Sequence, residues 1–480
     1  MTAYNQAFTS GDLSAEEITA RSLKQIEIRD KKLNSFLSVF HERAIETAKA
    51  LDAKKKNGKP LGKLAGIPIS IKDNIQIQGE ITTCASKILA NYRSPYDATV
   101  IRLLEEEDAI LIGKTNMDEF AMGGSGTHSA FGNTKNPWDL ACSPGGSSSG
   151  SAACVSAGFC PISLGSDTGG SIRQPAALSG ITGFKPTYGR VSRYGLVAFG
   201  SSLDQIGPLT RTVQDAALVM EVLGKHCEKD STSVNTHVQY LAEIEKPIAN
   251  TRVGIPWHFL EQLQGEPRDN FEQSLEVLKA LGVEIVDVNL DMLKYGIAIY
   301  YIIATAEAST NLARFDGIRY GVRSPNAKTL GDIYEDSREE GFGWEVKNRI
   351  LLGTFVLSSG EKNAYYAKAR KVRTLIIDQM RTAFQKCNMI AIPSAPGTAF
   401  SLTGIKDPLD EYLQDLYTVG ANLVGLPGIS VPSGFSSDKK PFGIQFMGPQ
   451  MHDAEVLRYA HAFQTATDFV AYPPEFGGIL

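Results

Sequence analysis

Residues 143–153, SPGGSSSGSAA, concentrate serine and glycine in the middle of the chain. The segment leads directly into an apolar run, ACVSAGFCPISLG (153–165), and then into a second cluster of small residues, GSDTGGSIRQPAA (165–177). A serine- and glycine-rich composition is typical of a flexible linker. Because this segment lies between apolar strand patterns, it is not a linker. It is either a place of close backbone packing or a functional site.

Short apolar runs alternate with helical patterns along most of the chain. Strands are predicted at 65–71, 109–113, 161–165, 253–256, 283–288, 389–393, 429–432 and 443–447. Helices are predicted at 41–56, 99–107, 212–224, 268–281 and 361–386, and Ser14 with Glu17 forms a capping box for one more. Near-continuous apolar strands indicate a sheet with both faces covered. We predict an α/β fold with a large mixed, mostly parallel β-sheet covered on both faces by helices.

Composition and charge narrow the function classes. Of the 480 residues 42% are hydrophobic and 21% charged, which is typical of a globular protein with a large core. The net charge of −5 argues against a broad positive surface for nucleic acid. The start of the chain lacks a secretory signal pattern, and the longest apolar run, 297–306, suits a buried helix or strand better than a membrane span. We expect a cytoplasmic protein without membrane contact, with its six cysteines reduced.

Two familiar motifs partly match the serine and glycine clusters. Residues 146–150, GSSSG, fit the G-x-S-x-G nucleophile motif, which requires a strand directly before it and a histidine partner after it. The preceding segment is turn-like, so this interpretation is disfavoured. Residues 113–115, GKT, match the end of a phosphate-binding loop, but Asp108 stands where the first glycine is required. Lys114 is therefore predicted to be a structural or rim residue.

A lysine follows the apolar strand pattern in GIPISIKDN (66–74). Burial disfavours the charged form of a lysine and lowers its pKa, so Lys72 is a candidate general base. A lysine can activate a hydroxyl nucleophile without a histidine. A serine between the two can relay the proton, because a hydroxyl both donates and accepts hydrogen bonds.

Three ordered segments, GIPISIKDN, GGSSSGSAA and GSDTGGSIRQPA, together resemble the amidase signature family. The resemblance implies the amidase-signature fold, with Lys72 as the base, Ser147 as a relay serine on a cis peptide bond, and Ser171 as the nucleophile. It also implies an oxyanion hole built from the backbone of one loop: Thr168, Gly169, Gly170 and Ser171. Asp167 and Arg173 are expected to brace that loop.

Longer stretches at 113–139, 307–321, 345–360 and 421–434 resemble one branch of that family, the glutaminase subunits of tRNA-dependent amidotransferases. The resemblance covers nearly the whole chain. It implies one domain over 1–480, with an N-terminal helical segment at about 1–60, a catalytic core at about 60–215, and the rest of the core with the substrate pocket at about 250–480.

This branch implies hydrolysis of glutamine. The ammonia passes to a partner B subunit, which uses ATP and Mg and converts Glu-tRNA(Gln) and/or Asp-tRNA(Asn) to the amide, while a small C subunit joins the two. Misacylated tRNA is expected to bind mainly through the B subunit, and no cofactor or metal is expected in this chain. The alternative is a free-standing amidase acting on another small or fatty amide, with the same catalytic residues.

Glutamine recognition adds a physical requirement. Its α-carboxylate and α-ammonium need a cation and an anion beside one pocket. By position in the resemblance, Arg349 is the carboxylate clamp, Asp415 is the ammonium partner, and one of Tyr300 and Tyr301 lines the pocket. The alternative amidase predicts an apolar pocket without this charged pair.

Overall fold

The computed structural model describes residues 3–404 and 407–477. Its strands are β1 (Phe36–Val39), β2 (Pro68–Lys72), β3 (Ile110–Thr115), β4 (Ile162–Asp167), β5 (Thr182–Lys185), β6 (Gln205–Thr210), β7 (Arg252–Ile255), β8 (Glu284–Asp287), β9 (Met389–Pro393), β10 (Gly428–Phe435) and β11 (Pro441–Met447). In these ranges they form one sheet, in the order β1-β3-β2-β4-β6-β5-β10-β11-β9-β7-β8. The single-domain assignment stays a prediction, and the continuous sheet supports it.

Sixteen α-helices lie between and around these strands in the residues described. They are α1 (Ala3–Ser10), α2 (Ala15–Leu33), α3 (His41–Lys56), α4 (Thr99–Glu106), α5 (Ser149–Ser156), α6 (Arg173–Leu178), α7 (Val213–Leu223), α8 (Tyr240–Ile244), α9 (Glu266–Ala280), α10 (Gly296–Asn311), α11 (Leu330–Gly341), α12 (Trp344–Leu357), α13 (Tyr366–Ala383), α14 (Pro408–Tyr412), α15 (Val419–Val424) and α16 (Asp453–Thr467). Short 3₁₀ helices occupy Lys87–Leu89, Glu119–Ala121, Trp257–Leu260, Asp291–Tyr295, Leu312–Arg314 and Leu413–Asp415. None of the helices in the described ranges is long and apolar enough to cross a membrane.

Every predicted strand and helix overlaps an observed one, and three further strands were not predicted. Each of the eight apolar runs contains a strand, and the five helical patterns and the capping box are confirmed. The run 297–306 lies in helix α10. All six cysteines are free and buried. Strands β1, β5 and β6 were missed, because polar residues, glycine or proline interrupt their apolar pattern: β1 is FLSV, β5 is TGFK and β6 is QIGPLT.

The sheet is mixed, as predicted, but the prediction of mostly parallel strands is wrong. Four neighbouring pairs are parallel: β2–β3, β2–β4, β7–β8 and β7–β9. The other six pairs are antiparallel. One cause is the short connection between β10 and β11, which returns the chain as a hairpin, whereas parallel strands need a long crossover. An apolar run reports that a strand is buried and carries no information about its direction.

The parallel part of the sheet positions the site. Strands β3, β2 and β4 are neighbours and run in the same direction, so their carboxyl ends meet at one edge. Lys72 is the last residue of β2 and Asp167 the last of β4. The open edge beyond the carboxyl ends of such strands is the usual place for ligand binding in α/β sheets.

Candidate active site

Lys72 is fully buried at the end of β2. Its Nζ donates hydrogen bonds to Oγ of Ser147 (2.8 Å), Oγ of Ser148 (2.9 Å) and the carbonyl oxygen of Ser166 (3.3 Å). In the described part of the chain no carboxylate forms an ion pair with this amine. Burial lowers the pKa of Lys72 to about 7, although Asp118 and more distant carboxylates oppose the shift. Near neutral pH a large fraction of the side chain is therefore uncharged.

Ser147, the predicted relay serine, lies on a backbone segment held from two sides. The Gly146–Ser147 peptide bond is cis, as the family resemblance implies. The backbone N–H of Gly146 donates to Oε1 of Gln174 (3.0 Å), and the N–H of Ser148 donates to the carbonyl of Ser171 (3.2 Å). The second bond joins the segment that follows β3 to the segment that follows β4. The two serine clusters of the sequence are thus in direct contact.

Ser171 lies in the loop between β4 and α6, with 7% of its surface exposed. Gly170 has φ +151°, and a Cβ placed on it would lie 2.1 Å from Oγ1 of Thr418, so only glycine fits there. Within the described ranges, the backbone N–H groups of Gly169, Gly170 and Ser171 have no hydrogen-bond acceptor. Adjacent unpaired N–H groups can bind an anionic oxygen.

A buried ion pair spans this loop. Nη2 and Nε of Arg173 donate to the two carboxylate oxygens of Asp167 (3.0 and 3.1 Å), and the backbone N–H of Ile172 donates to the same carboxylate (3.1 Å). Burial acts to raise the pKa of Asp167, but the neighbouring guanidinium lowers it below the usual value. Arg173 also donates to the carbonyl of Thr418 (2.9 Å). The pair therefore ties both ends of the loop to each other and to the later part of the chain.

The four predicted glutamine-binding residues lie beside the same loop. A Cβ on Gly169 would be 2.7 Å from the hydroxyl of Tyr300, and a Cβ on Gly170 would be 3.2 Å from Oδ1 of Asp415. The Tyr301 ring packs against Tyr300, with ring centroids 5.1 Å apart, and faces the guanidinium of Arg349, also at 5.1 Å. Tyr300 thus contacts the loop that carries Ser171, and Tyr301 contacts the guanidinium of Arg349.

Two buried charged side chains beside this loop, Arg349 and Asp415, have atoms without a hydrogen-bond partner in the described part of the chain. In the residues described, neither Nη atom of Arg349 and neither carboxylate oxygen of Asp415 has a hydrogen-bond partner. Both residues are more than nine-tenths buried. Burial raises the pKa of Asp415 well above its usual value, although Arg349 opposes the shift. Arg349 thus keeps two free N–H-bearing nitrogens beyond its ion pair with Glu345, and Asp415 keeps a free carboxylate, so together they suit a zwitterionic ligand.

Lys114 has a structural environment. Its Nζ lies 3.1 Å from Oδ1 of Asp73 and donates to Oγ1 of Thr82 (3.0 Å), with both charged groups buried. The prediction that it is not part of a phosphate-binding loop is supported. Its location is interior, so of the two predicted roles, structural or rim, the first is correct.

Sequence reasoning missed three residues of the site. Ser148 donates to the carbonyl of Ser166 (3.2 Å) and accepts from Lys72, and its place in the GSSS run was the available signal. Glu345 accepts hydrogen bonds from Arg349 and from the hydroxyl of Tyr412. The ring of Tyr412 packs against that of Tyr301. Nothing in their local sequence distinguishes them from residues of an ordinary helix. In the described ranges no group of three or more histidine, cysteine, aspartate and glutamate side chains is arranged to hold a metal ion.

Comparison with known proteins gives the family. The amidase family profile matches residues 17–457. The chain is 58% identical over 469 residues to the A subunit of glutamyl-tRNA(Gln) amidotransferase from Protochlamydia amoebophila, covering 98% of this chain and 96% of that protein. The crystal structure of the A subunit of glutamyl-tRNA(Gln) amidotransferase from Thermotoga maritima is similar with a TM-score of 0.80 and 43% identity, covering 96% and 94% of the two chains.

A more distant structural relative shares the fold. The peptide amidase of Stenotrophomonas maltophilia is similar with a TM-score of 0.85 and 26% identity, covering 98% of this chain and 97% of that one. Proteins named for different activities thus share this architecture, as expected when function depends on a site built upon a common fold. With its three ordered segments, its family profile and these relatives, the chain belongs to the amidase family, the family that carries the amidase signature.

Proposed function

We propose that this chain is the glutaminase subunit of a tRNA-dependent amidotransferase. It hydrolyses glutamine and supplies the ammonia that converts Glu-tRNA(Gln) and/or Asp-tRNA(Asn) to Gln-tRNA(Gln) or Asn-tRNA(Asn). The observation that carries the proposal is a largely buried cation and anion with free hydrogen-bonding atoms: the Nη atoms of Arg349, whose Nε is held by Glu345, and the carboxylate of Asp415, which lies against the loop that carries Ser171. The 58% identity, over nearly the full length, to the A subunit of the Protochlamydia amoebophila glutamyl-tRNA(Gln) amidotransferase supports it.

In this proposal Lys72 starts the reaction as a neutral amine. Such an amine has two N–H groups, for Ser148 Oγ and the Ser166 carbonyl, and one lone pair, which faces Ser147. Lys72 takes the proton of Ser147 as Ser147 takes the proton of Ser171. The Oγ of Ser171 then forms a bond to the side-chain amide carbon of glutamine.

The negative oxygen that forms on that carbon is bound by the backbone N–H groups of the loop from Thr168 to Ser171. Loss of one such donor typically costs about 2.7–4 kcal/mol in the barrier. The relay returns the proton to the amide nitrogen, the carbon–nitrogen bond breaks, and ammonia leaves. Water, activated by the same relay, attacks the acyl-serine and releases glutamate, which restores the free hydroxyl of Ser171.

Substrate recognition uses both charges of glutamine. The free Nη atoms of Arg349 form a fork for the α-carboxylate, and Asp415 accepts the α-ammonium. The hydroxyl of Tyr300 lies against Gly169 and so faces the reacting end of the substrate. Binding of the ammonium favours the ionised form of Asp415, whose pKa burial otherwise raises.

In the proposed assembly, partner subunits carry out the remaining steps. The B subunit binds the misacylated tRNA and uses ATP and Mg, and the C subunit joins it to the glutaminase. The net charge of −5 supports this division, because a tRNA-binding surface needs clustered cations. The complex is placed in the cytoplasm, where aminoacyl-tRNA is made and used.

The free-standing amidase is the second candidate. Its fold and its three catalytic residues would be the same, as the similarity to a peptide amidase indicates. The charged pair at Arg349 and Asp415 favours a zwitterionic substrate over an apolar amide. The higher identity to an amidotransferase relative, 58% against 26%, favours the same choice.

The test is to co-express the chain with its B and C partners and to measure two activities. Glutamine, asparagine and an apolar amide such as benzamide are compared in hydrolysis, and Glu-tRNA and Asp-tRNA are amidated separately. We expect hydrolysis selective for glutamine and glutamine-dependent amidation of at least one tRNA. Ser171→Ala should abolish both while leaving ammonia-dependent amidation intact. A complex that hydrolyses benzamide as well as glutamine, or that amidates neither tRNA, contradicts the proposal.

A further inference from the structure

Arg349 is held by a carboxylate on its own helix. Glu345 lies one turn earlier on α12, and its Oε1 accepts from Nε of Arg349 at 2.7 Å. Both side chains are about 95% buried or more. A charge-assisted bond of this kind is strong and directional. Because it uses Nε, it fixes the plane of the guanidinium while leaving both Nη atoms free.

Aromatic rings form the walls around this guanidinium. Its central carbon lies 5.1 Å from the ring centroid of Tyr301, 5.6 Å from that of Tyr412 and 5.7 Å from that of Phe199. The rings of Tyr301 and Tyr412 pack with centroids 4.2 Å apart. These contacts are attractive and restrict the arginine to one orientation.

Tyr412 also fixes the carboxylate. Its hydroxyl donates to Oε1 of Glu345 at 3.1 Å. Tyr412 ends helix α14, which is anchored by Glu411: the carboxylate of Glu411 pairs with Nε2 of His128 (3.0 Å) and accepts from the backbone N–H of Gly124 (2.9 Å). Arg349 is therefore held through Glu345 by a second, separately anchored part of the chain.

We propose that Glu345, supported by Tyr412, is a positioning residue that sets the affinity for the α-carboxylate of the substrate through Arg349. The inference rests on the proposed function, because it assumes that Arg349 binds that carboxylate. Glu345 itself does not touch the substrate. It orients the fork, and its charge offsets the desolvated guanidinium. A purely structural role would instead affect every substrate of the enzyme alike.

The test compares two amides in the complex with the B and C subunits. One is glutamine, and the other is 4-aminobutanamide, which lacks the α-carboxylate. Glu345→Gln keeps the size of the side chain and removes its charge. We expect KM for glutamine to rise about tenfold, because the bond from Arg349 loses the negative charge of its acceptor and no longer holds the guanidinium as firmly, with kcat within about twofold. Hydrolysis of 4-aminobutanamide should stay within about twofold of wild type.

Controls separate positioning from folding. Glu335→Gln, an exposed carboxylate on the neighbouring helix α11, should change neither substrate. Tyr412→Phe removes only the hydroxyl and should raise KM for glutamine by about two- to fivefold, so it serves if Glu345→Gln does not fold. Equal losses on both amides, or an unchanged KM for glutamine in the folded variants, would overturn the inference. A wild-type complex without preference for glutamine over 4-aminobutanamide would refute the proposed function, and the inference with it.

Discussion

Two buried lysines, Lys72 and Lys114, differ in the groups that lie beside their amines. The two lysines lie on adjacent parallel strands, and Lys114 is opposite Ile71, one position before Lys72. Both side chains are fully buried. Lys114 is paired with the carboxylate of Asp73 at 3.1 Å, whereas in the described residues the hydrogen-bond partners of the Lys72 amine are hydroxyl and carbonyl oxygens. At equal depth, one lysine has a carboxylate beside its amine, whereas burial among neutral oxygens lowers the pKa of Lys72 to about 7.

A third buried lysine shows that burial alone does not make a base. Burial lowers the pKa of Lys185 to about 7, and Arg173 adds to the effect. Its Nζ donates to the carbonyls of Pro186 (2.9 Å) and Leu426. Neither partner has a proton to give. Lys72 differs in having the hydroxyl of Ser147 within hydrogen-bond distance, so geometry and pKa together identify the candidate base.

The largest expected effect is on Lys72. Lys72→Met and Lys72→Arg should both lower kcat for glutamine hydrolysis by at least about 10²–10⁴-fold, because neither side chain accepts a proton at working pH. Ammonia-dependent amidation by the complex should persist and shows that the variants fold. If Lys72→Arg kept activity within a few-fold of wild type, Lys72 could not be the base. Its environment would then have no catalytic consequence that the environment of Lys114 lacks.

Lys114→Met should act on stability instead. It leaves the buried carboxylate of Asp73 without its cation, which typically costs about 3–5 kcal/mol in the free energy of unfolding. Denaturant unfolding measures the loss, and kcat per folded molecule should fall less than about tenfold. Asp73→Asn combined with Lys114→Met removes both charges and should recover much of the stability. Loss of kcat as large as in Lys72→Met would mean that Lys114 also takes part in the chemistry.

The pH dependence of hydrolysis should report the Lys72 amine. Its pKa of about 7 lies below the usual value, and the neutral form is the active one. The kcat/KM for glutamine should therefore fall about tenfold per pH unit below 7 and level off above it. A profile that is flat from pH 5.5 to 8.5 would contradict a lysine base with this pKa.

The smallest expected effect separates the two lysines of similar pKa. Lys185→Met should lower stability by about 1–3 kcal/mol, because it leaves two buried carbonyls without a donor. The activity of the folded variant should stay within about threefold of wild type, with the same inflection near pH 7. Disappearance of that inflection would assign the titration to Lys185.

The proposed catalytic residues stand out in the sequence because they lie in short, ordered segments with special residue types. Glycine at 170 and lysine at the end of an apolar strand are local signals of a tight loop and of a candidate base. The roles of Lys72, Ser147 and Ser171 stay predictions, and the hydrogen bonds among their segments support them.

Other features depend on contacts that no local pattern contains. Strand direction, the partner of Lys114 and the contact between Glu345 and Tyr412 arise when distant segments meet in the fold. Glu345 and Tyr412 are 67 residues apart, and each looks like an ordinary helix residue in the sequence. Arg349 and Asp415 were found by position in the family resemblance, and their role in binding glutamine stays a proposal.

The loop that carries Ser171, the proposed nucleophile, packs against residues that are synthesised much later than the loop itself. Thr418 accepts a bond from Arg173, donates to the carbonyl of Gly169 (2.7 Å) and contacts Gly170, and Asp415 lies against the same loop. The ribosome adds Asp415 about 240 residues after Ser171, which takes roughly 12–50 s at about 5–20 residues per second. Over that interval the growing chain has its serine but no substrate pocket. The proposed site for glutamine is therefore complete only when the last quarter of the chain has emerged and docked.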